Sequence, residues 1–432
     1  MVREMKHTEI GDIPADWKLQ TFDETFRVLS NNTLPRADLN NRGGLVRNVH
    51  YGDILTQFTE VLNCKKEEMP YINDISLLSS STQLLQDGDI IIADTAEDDT
   101  VGKVTEVYDL GDSRMVAGLH TIPCRVKKGD FAPGWLGYYM NSHAYHDQII
   151  PFITGIKVSS ISKSALAETL IAIPPRNEQV NIVETLLEIN NLITDIKRTL
   201  KKLYDFKQAL LQAMFPQIGK REPEVRILGF TDTWEQRKLG DISDVTKLAG
   251  FEFTEHVVYS DEGSIIALRG LNVKDGRLVL DDVKYIDHSN FSKLSRSKLF
   301  KDDILFTYVG TVGELAIIPE NERFYLAPNV SRIRINSNDS PRFLCHFMRS
   351  KRFYDSVIFP FIATSSQPAL SMENIRKFAV CLPREVEEQQ QLVYIFDNLD
   401  NLITLHQCKL EKYENIKQGM MGELLTGKIR LV

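Results

Sequence analysis

An α+β fold with an internal repeat follows from three features of the sequence. An apolar stripe with spacings alternating four and three runs from Gln179 through Ile182, Leu186, Ile189, Ile193, Ile196, Leu200 and Leu203 to Lys207 and Leu210. A second, made of Gln389, Leu392, Phe396, Leu399, Ile403, His406, Leu410, Tyr413, Lys417 and Met420, keeps the same register 210 residues later. Such spacing is the seam along which two helices interlock side chains. Third, a strand-rich stretch with Gly and Asp turn signals precedes each stripe, so non-local strand pairing accompanies one long helix per copy. Each helix finds its nearest partner in its duplicate. The expected arrangement is two similar globular units separated by antiparallel helices about a pseudo-two-fold axis. The expected seam comprises Ile182, Leu186, Ile189, Ile193, Ile196, Leu200 and Leu203 against Leu392, Phe396, Leu399, Ile403, Leu410 and Tyr413.

Taken in order, residues 1–176 form the first unit. Turns are expected at Gly43-Gly44, Tyr51-Gly52-Asp53 and Asp87-Gly88-Asp89, a buried strand at Ile90-Ile91-Ile92-Ala93, a helix over 133–149 and a last strand at Leu170-Ile171-Ala172-Ile173. Asn177 is the expected N-cap of the first long helix, residues 177–215, which Pro216 stops. Residues 216–230 read as a linker, 231–384 as the second unit, 385–425 as the second long helix and 426–432 as a tail. Trp234 answers Trp17, Asn272-Val273 answers Asn48-Val49, Asp303-Ile304-Leu305 answers Asp89-Ile90-Ile91, and Thr311-Val312-Gly313 answers Thr100-Val101-Gly102.

Composition narrows the function. No apolar run is long enough for a membrane span, and the first ten residues lack a secretory core. Cys64, Cys124, Cys345, Cys381 and Cys408 are scattered, which favours a reducing cytosol over a disulfide framework or zinc site. A net charge of −8 is unusual for a protein that holds nucleic acid alone, so contacts to DNA must come from local patches or partner chains. Lys293, Arg296, Lys298 and Lys301 could track phosphates, and Arg342, Arg349, Lys351 and Arg352 form a second basic cluster on or beside an expected helix. The second helix region is acidic and reads as a spacer.

Several motifs carry no chemistry. Gly422 to Lys428 approaches a phosphate-binding loop, but Ile429 stands where a Mg²⁺-binding hydroxyl is needed; a helix end with a glycine stop is expected. His143, His146 and Asp147 lack a second ligand pair, and Asp94, Glu97, Asp98 and Asp99 lack a catalytic lysine pattern. Neither a catalytic nor a metal site is expected.

Two similar units on a spacer suit a ligand with two sites at fixed separation, and duplex DNA is the obvious one. Base reading needs amides, guanidinium groups, hydroxyls and apolar tips on loops. The candidates in the first unit are Arg47, Asn48, His50, Tyr51, Thr95, Lys103, Thr154, Lys157 and Ser159. In the second they are Arg269, Asn272, Lys274, Tyr308, Thr311, Thr364, Ser365, Ser366 and Gln367. A coiled-coil scaffold presenting two protein- or ligand-binding units is the alternative. An enzyme with paired active sites is a third reading, but no titratable constellation recurs in both copies.

Over nearly its whole length the chain resembles the specificity subunits of type I restriction–modification systems. The resemblance rests on Ile13-Pro14-Ala15-Asp16-Trp17, on Pro174-Pro175 through Glu178-Gln179, and on Thr154-Gly155 with Lys157 through Ser162. Trp234 through Gly240, Gln367 with Leu370-Ser371, and Leu424-Leu425-Thr426-Gly427-Lys428-Ile429 add to it. Pro383-Arg384 departs from the first copy's Pro174-Pro175. The resemblance implies two target-recognition domains, each reading half of a split asymmetric site in double-stranded DNA. It implies helices that set the unread gap and dock two modification subunits, with restriction subunits joining them. S-adenosylmethionine, ATP and Mg²⁺ would then sit on those partners and none on this chain.

Overall fold

The computed structural model describes the chain apart from residues 1–3, 99, 156, 249–254 and 363–367. It forms two compact units, Met1–Lys197 with Lys409–Val432, and Arg198–Cys408. The long helices are Arg176–Met214 and Val386–Leu424, 39 residues each. Each unit therefore owns the first half of one helix and the second half of the other.

In the first unit a five-stranded sheet runs in the order Phe26–Val28, Thr121–Val126, Ile90–Ala93, Val104–Tyr108, Val61–Asn63. A four-stranded sheet holds Met115–Ala117 parallel to Arg47–Val49, followed by Tyr71–Ile72 and Leu39–Asn40. In the second unit the larger sheet is Ser243–Lys247, Val330–Ile335, Ile304–Thr307, Leu315–Ile317, and the smaller holds Ile266–Leu268 parallel to Phe324–Leu326. Strand order and direction thus repeat. Asp89 and Asp303 also repeat: each buried carboxylate precedes the central strand and pairs with a guanidinium one strand over, Arg125 and Arg334, at 2.6 Å.

The helices run antiparallel within each unit. In the first, Ile182 and Leu186 share a core with Met421, Leu424 and Leu425, and Lys197 meets Glu414 at 2.8 Å. In the second, Leu211 and Phe215 share a core with Leu392 and Phe396, and Gln407 donates to the Tyr204 hydroxyl at 2.6 Å. Ile182, Leu186, Ile193, Ile196, Leu200, Leu392, Phe396, Leu399 and Ile403 are buried; Ile189, Leu203, Leu410 and Tyr413 are half-buried. The two heptad lysines are anchored ion pairs. Lys417 meets Glu60 at 2.6 Å, where Asn190 also donates to the carboxylate; Lys207 meets Asp400. Burial alone would raise the Glu60 carboxyl, but the Lys417 charge beside it holds it below its ordinary range.

The first turn of each long helix is pinned the same way. Glu178 is fully buried; it accepts from the Trp17 indole at 3.1 Å and from Arg430, whose guanidinium also grips Asp16. Glu388 accepts from the Trp234 indole at 3.2 Å and from Arg226 at 2.8 Å through two nitrogens. The adjacent glutamines work alike. Gln179 accepts from Ala132 N and donates to the Asp130 and Pro174 carbonyls. Gln389 accepts from Ser340 N and donates to Asp339 and the Pro383 carbonyl. The segments read as linker and tail are therefore structural: each delivers the guanidinium that neutralises a buried carboxylate.

Three expectations are corrected. Asn177 does not cap the first long helix, which already begins at Arg176; the buried Glu178-Gln179 pair fixes that turn instead. Residues 133–149 form two helices, Trp135–Met140 and His143–Ile149. Asn141 breaks them by turning its amide onto the Val104 backbone. Asn48 and Asn272 are not equivalents: Asn48 lies in the strand Arg47–Val49, whose counterpart is Ile266–Leu268, whereas Asn272 lies one turn beyond that counterpart.

Two predictions follow from these contacts. Removing one partner of a buried ion pair leaves the other charge unpaired, at a cost of about 3–5 kcal/mol. Arg430→Ala should therefore weaken amide-exchange protection in the first unit by that amount and leave the second unit unchanged, while Arg226→Ala should do the reverse. Glu106 is buried, and desolvation raises its carboxyl to about 7 although Gly134 N and Gly137 N both donate to it. A raised acid holds its proton in the folded chain after the unfolded chain has released it, so stability falls as pH climbs from about 4.5 to about 7. The slope should be about 1.4 kcal/mol per pH unit, and Glu106→Gln should flatten it in denaturant unfolding of the full chain.

Candidate nucleic-acid interface

In the first unit, the polar candidates gather where the central strand Ile90–Ala93 and the strand Arg47–Val49 both end. The Tyr51 ring packs at a tilt, 4.6 Å between centroids, against His50, which caps the helix Tyr51–Thr56 by accepting from Gly52 N. Burial depresses the His50 imidazole, so the neutral ring is favoured. Thr95 donates to Asp94 at 2.8 Å, and Thr95–Ala96 pairs with Ser159–Ser160. Thr154 bridges to Ser160, and Lys157 is exposed on the same turn. His50, Tyr51, Thr95, Thr154 and Ser159 are thus brought together. His120 completes the group, 3.3 Å from the Thr95 hydroxyl and edge-on to Tyr51 at 5.2 Å. It was not among the sequence candidates, because its signal is a left-handed backbone, φ 54°, rather than a motif.

Three first-unit candidates serve the fold. Arg47 donates to the Cys64 carbonyl at 2.7 Å and lies over the Tyr71 ring. Asn48 is wholly buried and accepts from Asn32 at 2.7 Å. The Lys103 ammonium donates to the Leu55 carbonyl at 3.0 Å, and burial lowers its proton affinity.

The second unit has an open cleft of about 680 Å³ at the corresponding place, lined by Arg269, Leu271, Lys274, Thr311 and Asn329. Arg269 is half-tethered, donating to Asp282 at 2.8 Å. Lys274 and Thr311 are exposed at the cleft. Tyr308 lies beneath the Lys247 ammonium at 5.2 Å, and burial raises its phenol. Asn272 is buried; it accepts from Arg269 N and donates to the Val279 and Asp282 carbonyls, which fixes the turn. Thr364, Ser365, Ser366 and Gln367 lie outside the described residues, as does Asp99.

The basic patches are largely consumed. Lys293 and Arg296 sit on the single turns Phe291–Lys293 and Ser295–Ser297, and Lys298 pairs with Glu322 at 2.6 Å. Arg342 pairs with Asp397, Arg349 with Asp400 and Lys351 with Asp355, while Arg352 donates to the Gln212 and Phe215 carbonyls. Of these last four, Arg342, Arg349 and Arg352 instead each tie to a long helix, and Lys351 makes a local surface pair. Among the described residues no group of three or more His, Cys, Asp or Glu could hold a metal ion; His146 spends its Nε2 on the Val101 carbonyl. Gly427, φ 72°, ends the second helix against Pro14 and Trp17, so no phosphate cradle forms there. No helix among the described residues is long and apolar enough to cross a membrane.

Asn272→Ala should leave Arg269 N and the Val279 carbonyl without their partner and cost about 1–3 kcal/mol. The same variant should leave relative preference among DNA sequences unaltered in a competition assay at fixed salt.

Comparison with known proteins agrees with this architecture. Residues 231–415 match the family model described as the type I restriction modification DNA specificity domain. A Methanocaldococcus jannaschii protein assigned as the MjaX type I restriction enzyme specificity subunit is 23% identical over 438 aligned positions, covering 99% of this chain and 96% of the relative. The EcoBI specificity subunit of Escherichia coli is 22% identical over 68% of this chain and 65% of its own length. The crystal structure of a type I S subunit from M. genitalium matches with a TM-score of 0.55 at 14% identity, covering 98% of this chain and 99% of that one.

Proposed function

Because the chain belongs to the type I restriction–modification specificity subunits, we propose that each of its two units reads one half of a split DNA site and that the long helices set the gap. It is a recognition subunit and not an enzyme. The observation that carries this reading is the repeated scaffold with unlike side chains at its cleft: His50, Tyr51 and Thr95 in one unit, Arg269, Leu271 and Thr311 in the other. Two equal readers would demand a symmetric site; unlike ones suit an asymmetric one. A 39-residue helix spans roughly 58 Å at ~1.5 Å per residue, long enough to hold two contacts on a duplex apart.

The remaining chemistry belongs to partners. The helices expose Leu192, Phe206, Tyr394 and Leu405, apolar tips suited to docking two modification subunits, with restriction subunits joining the complex. S-adenosylmethionine, ATP and Mg²⁺ would be held by those subunits. Net charge −8 supports this division, since phosphate contacts would come mainly from the partners. Five free cysteines suit a reducing prokaryotic cytoplasm.

The test is to express the chain with its modification subunits and map methylated adenines genome-wide. A bipartite motif with a fixed gap is expected, and inserting one heptad into each long helix at matched positions should lengthen the gap without changing either half. A gap unchanged by that insertion would refute the spacer role, and the absence of any motif would refute sequence reading.

A further inference from the structure

Two residues without glycine's freedom hold left-handed backbone at the same place in both units. His120, φ 54°, closes the link between Met115–Ala117 and Thr121–Val126; Asn329, φ 72°, closes the link between Phe324–Leu326 and Val330–Ile335. Both links are three residues long and hydrogen-bonded alike. Gly118 N and Ala327 N donate to Val49 O and Leu268 O. His120 O and Asn329 O accept from Asp94 N and Tyr308 N, both at 3.1 Å. The carbonyls of Asp94 and Tyr308 in turn accept from Ile161 N and Leu370 N. The backbone is therefore one solution used twice, and glycine would adopt it at lower cost. Each copy nonetheless keeps a side chain there, both are exposed, and they differ. A strained residue that the surrounding hydrogen bonds hold in place points to function rather than to folding.

The neighbours differ as well. His120 stands between the Thr95 hydroxyl and the Tyr51 ring. Asn329 lines the cleft with Leu271, Lys274 and Thr311, and its amide makes no side-chain hydrogen bond among the described residues. We propose that His120 and Asn329 are the paired base-reading residues, each projecting from this shared left-handed link into the major groove of one half-site. An amide offers a donor and an acceptor together, which matches the N6 and N7 edge of adenine; an imidazole nitrogen matches a single donor or acceptor on a purine. The Thr95 hydroxyl at 3.3 Å and the Asp94 carboxylate at 3.4 Å both face Nδ1 of His120, so that nitrogen is the one engaged within the chain. The proposal rests on the reading of this chain as a DNA specificity subunit.

Asn329→Gly and His120→Gly test it, because glycine keeps the backbone and removes only the reader. The full chain with its modification subunits selects from a pool of random duplexes at fixed salt. Asn329→Gly should relax one position of one half-site by roughly 5- to 150-fold and leave the other half and the gap intact; His120→Gly should do the same in the other half. Asn329→Asp, which only accepts, should shift preference at that position toward cytosine's N4 donor. Unchanged preferences in both glycine variants would overturn the assignment, and so would equal weakening on all sequences, the mark of a phosphate contact. If the unmodified chain selects no split sequence, the specificity reading itself fails, an outcome separable from variants that merely copy the parent.

Discussion

A carboxylate without water must be neutralised or answered, and the architecture depends on how Glu178 and Glu388 are answered. Each sits in the first turn of a 39-residue helix, against a buried tryptophan, and each takes a guanidinium from the segment beyond the end of the other long helix. The indole and the guanidinium together consume most of the carboxylate's acceptor sites, so the first turn of the helix is fixed in place beside the tryptophan. The neighbouring glutamine repeats the restraint with neutral bonds. A buried ion pair is weak evidence for net stability but strong evidence for specification, because any other placement leaves charges bare.

With the helices fixed, the sheets gain a constant frame on which surface residues are free to differ. Asp89 with Arg125 and Asp303 with Arg334 tie equivalent strands in both units, and the three-residue links beside them share their hydrogen bonds. What changes is the side chain at the tip: imidazole and phenol in one unit, amide, aliphatic and ammonium in the other. Divergence at the rim of a repeated scaffold lets one fold present two different surfaces.

The long helices were legible because heptad spacing records which face is buried; the duplicated Gln positions are bonded alike, and each duplicated Lys finds a carboxylate, on the other helix for Lys207 and outside the helices for Lys417. The pairing of Trp17 with Trp234 was legible for the same reason. Harder to see was anything set by tertiary contact. Arg226 and Arg430 lie in stretches that read as connectors, since nothing local reveals that a guanidinium will find a carboxylate 162 or 252 positions away. Asn48 and Asn272 looked like readers because amides read bases, yet amides also fix turns. His120 and Asn329 escaped notice because a left-handed backbone leaves no periodic trace. Local patterning reports burial well and reports convergence poorly.

The division of the helices between the units also has a consequence for synthesis. The unit that begins at the N-terminus takes Met421, Leu424 and Leu425 into its core and Arg430 onto its buried glutamate. A ribosome makes those residues after the whole of the other unit. Translation from residue 197 to residue 432 adds 235 residues, roughly 12–47 s at ~5–20 residues per second. For that time the half made first stands with an open core and an unanswered charge, while the half made second closes first. Nascent-chain protection is thus demanded of the first unit, and its maturation waits for the end of the second long helix.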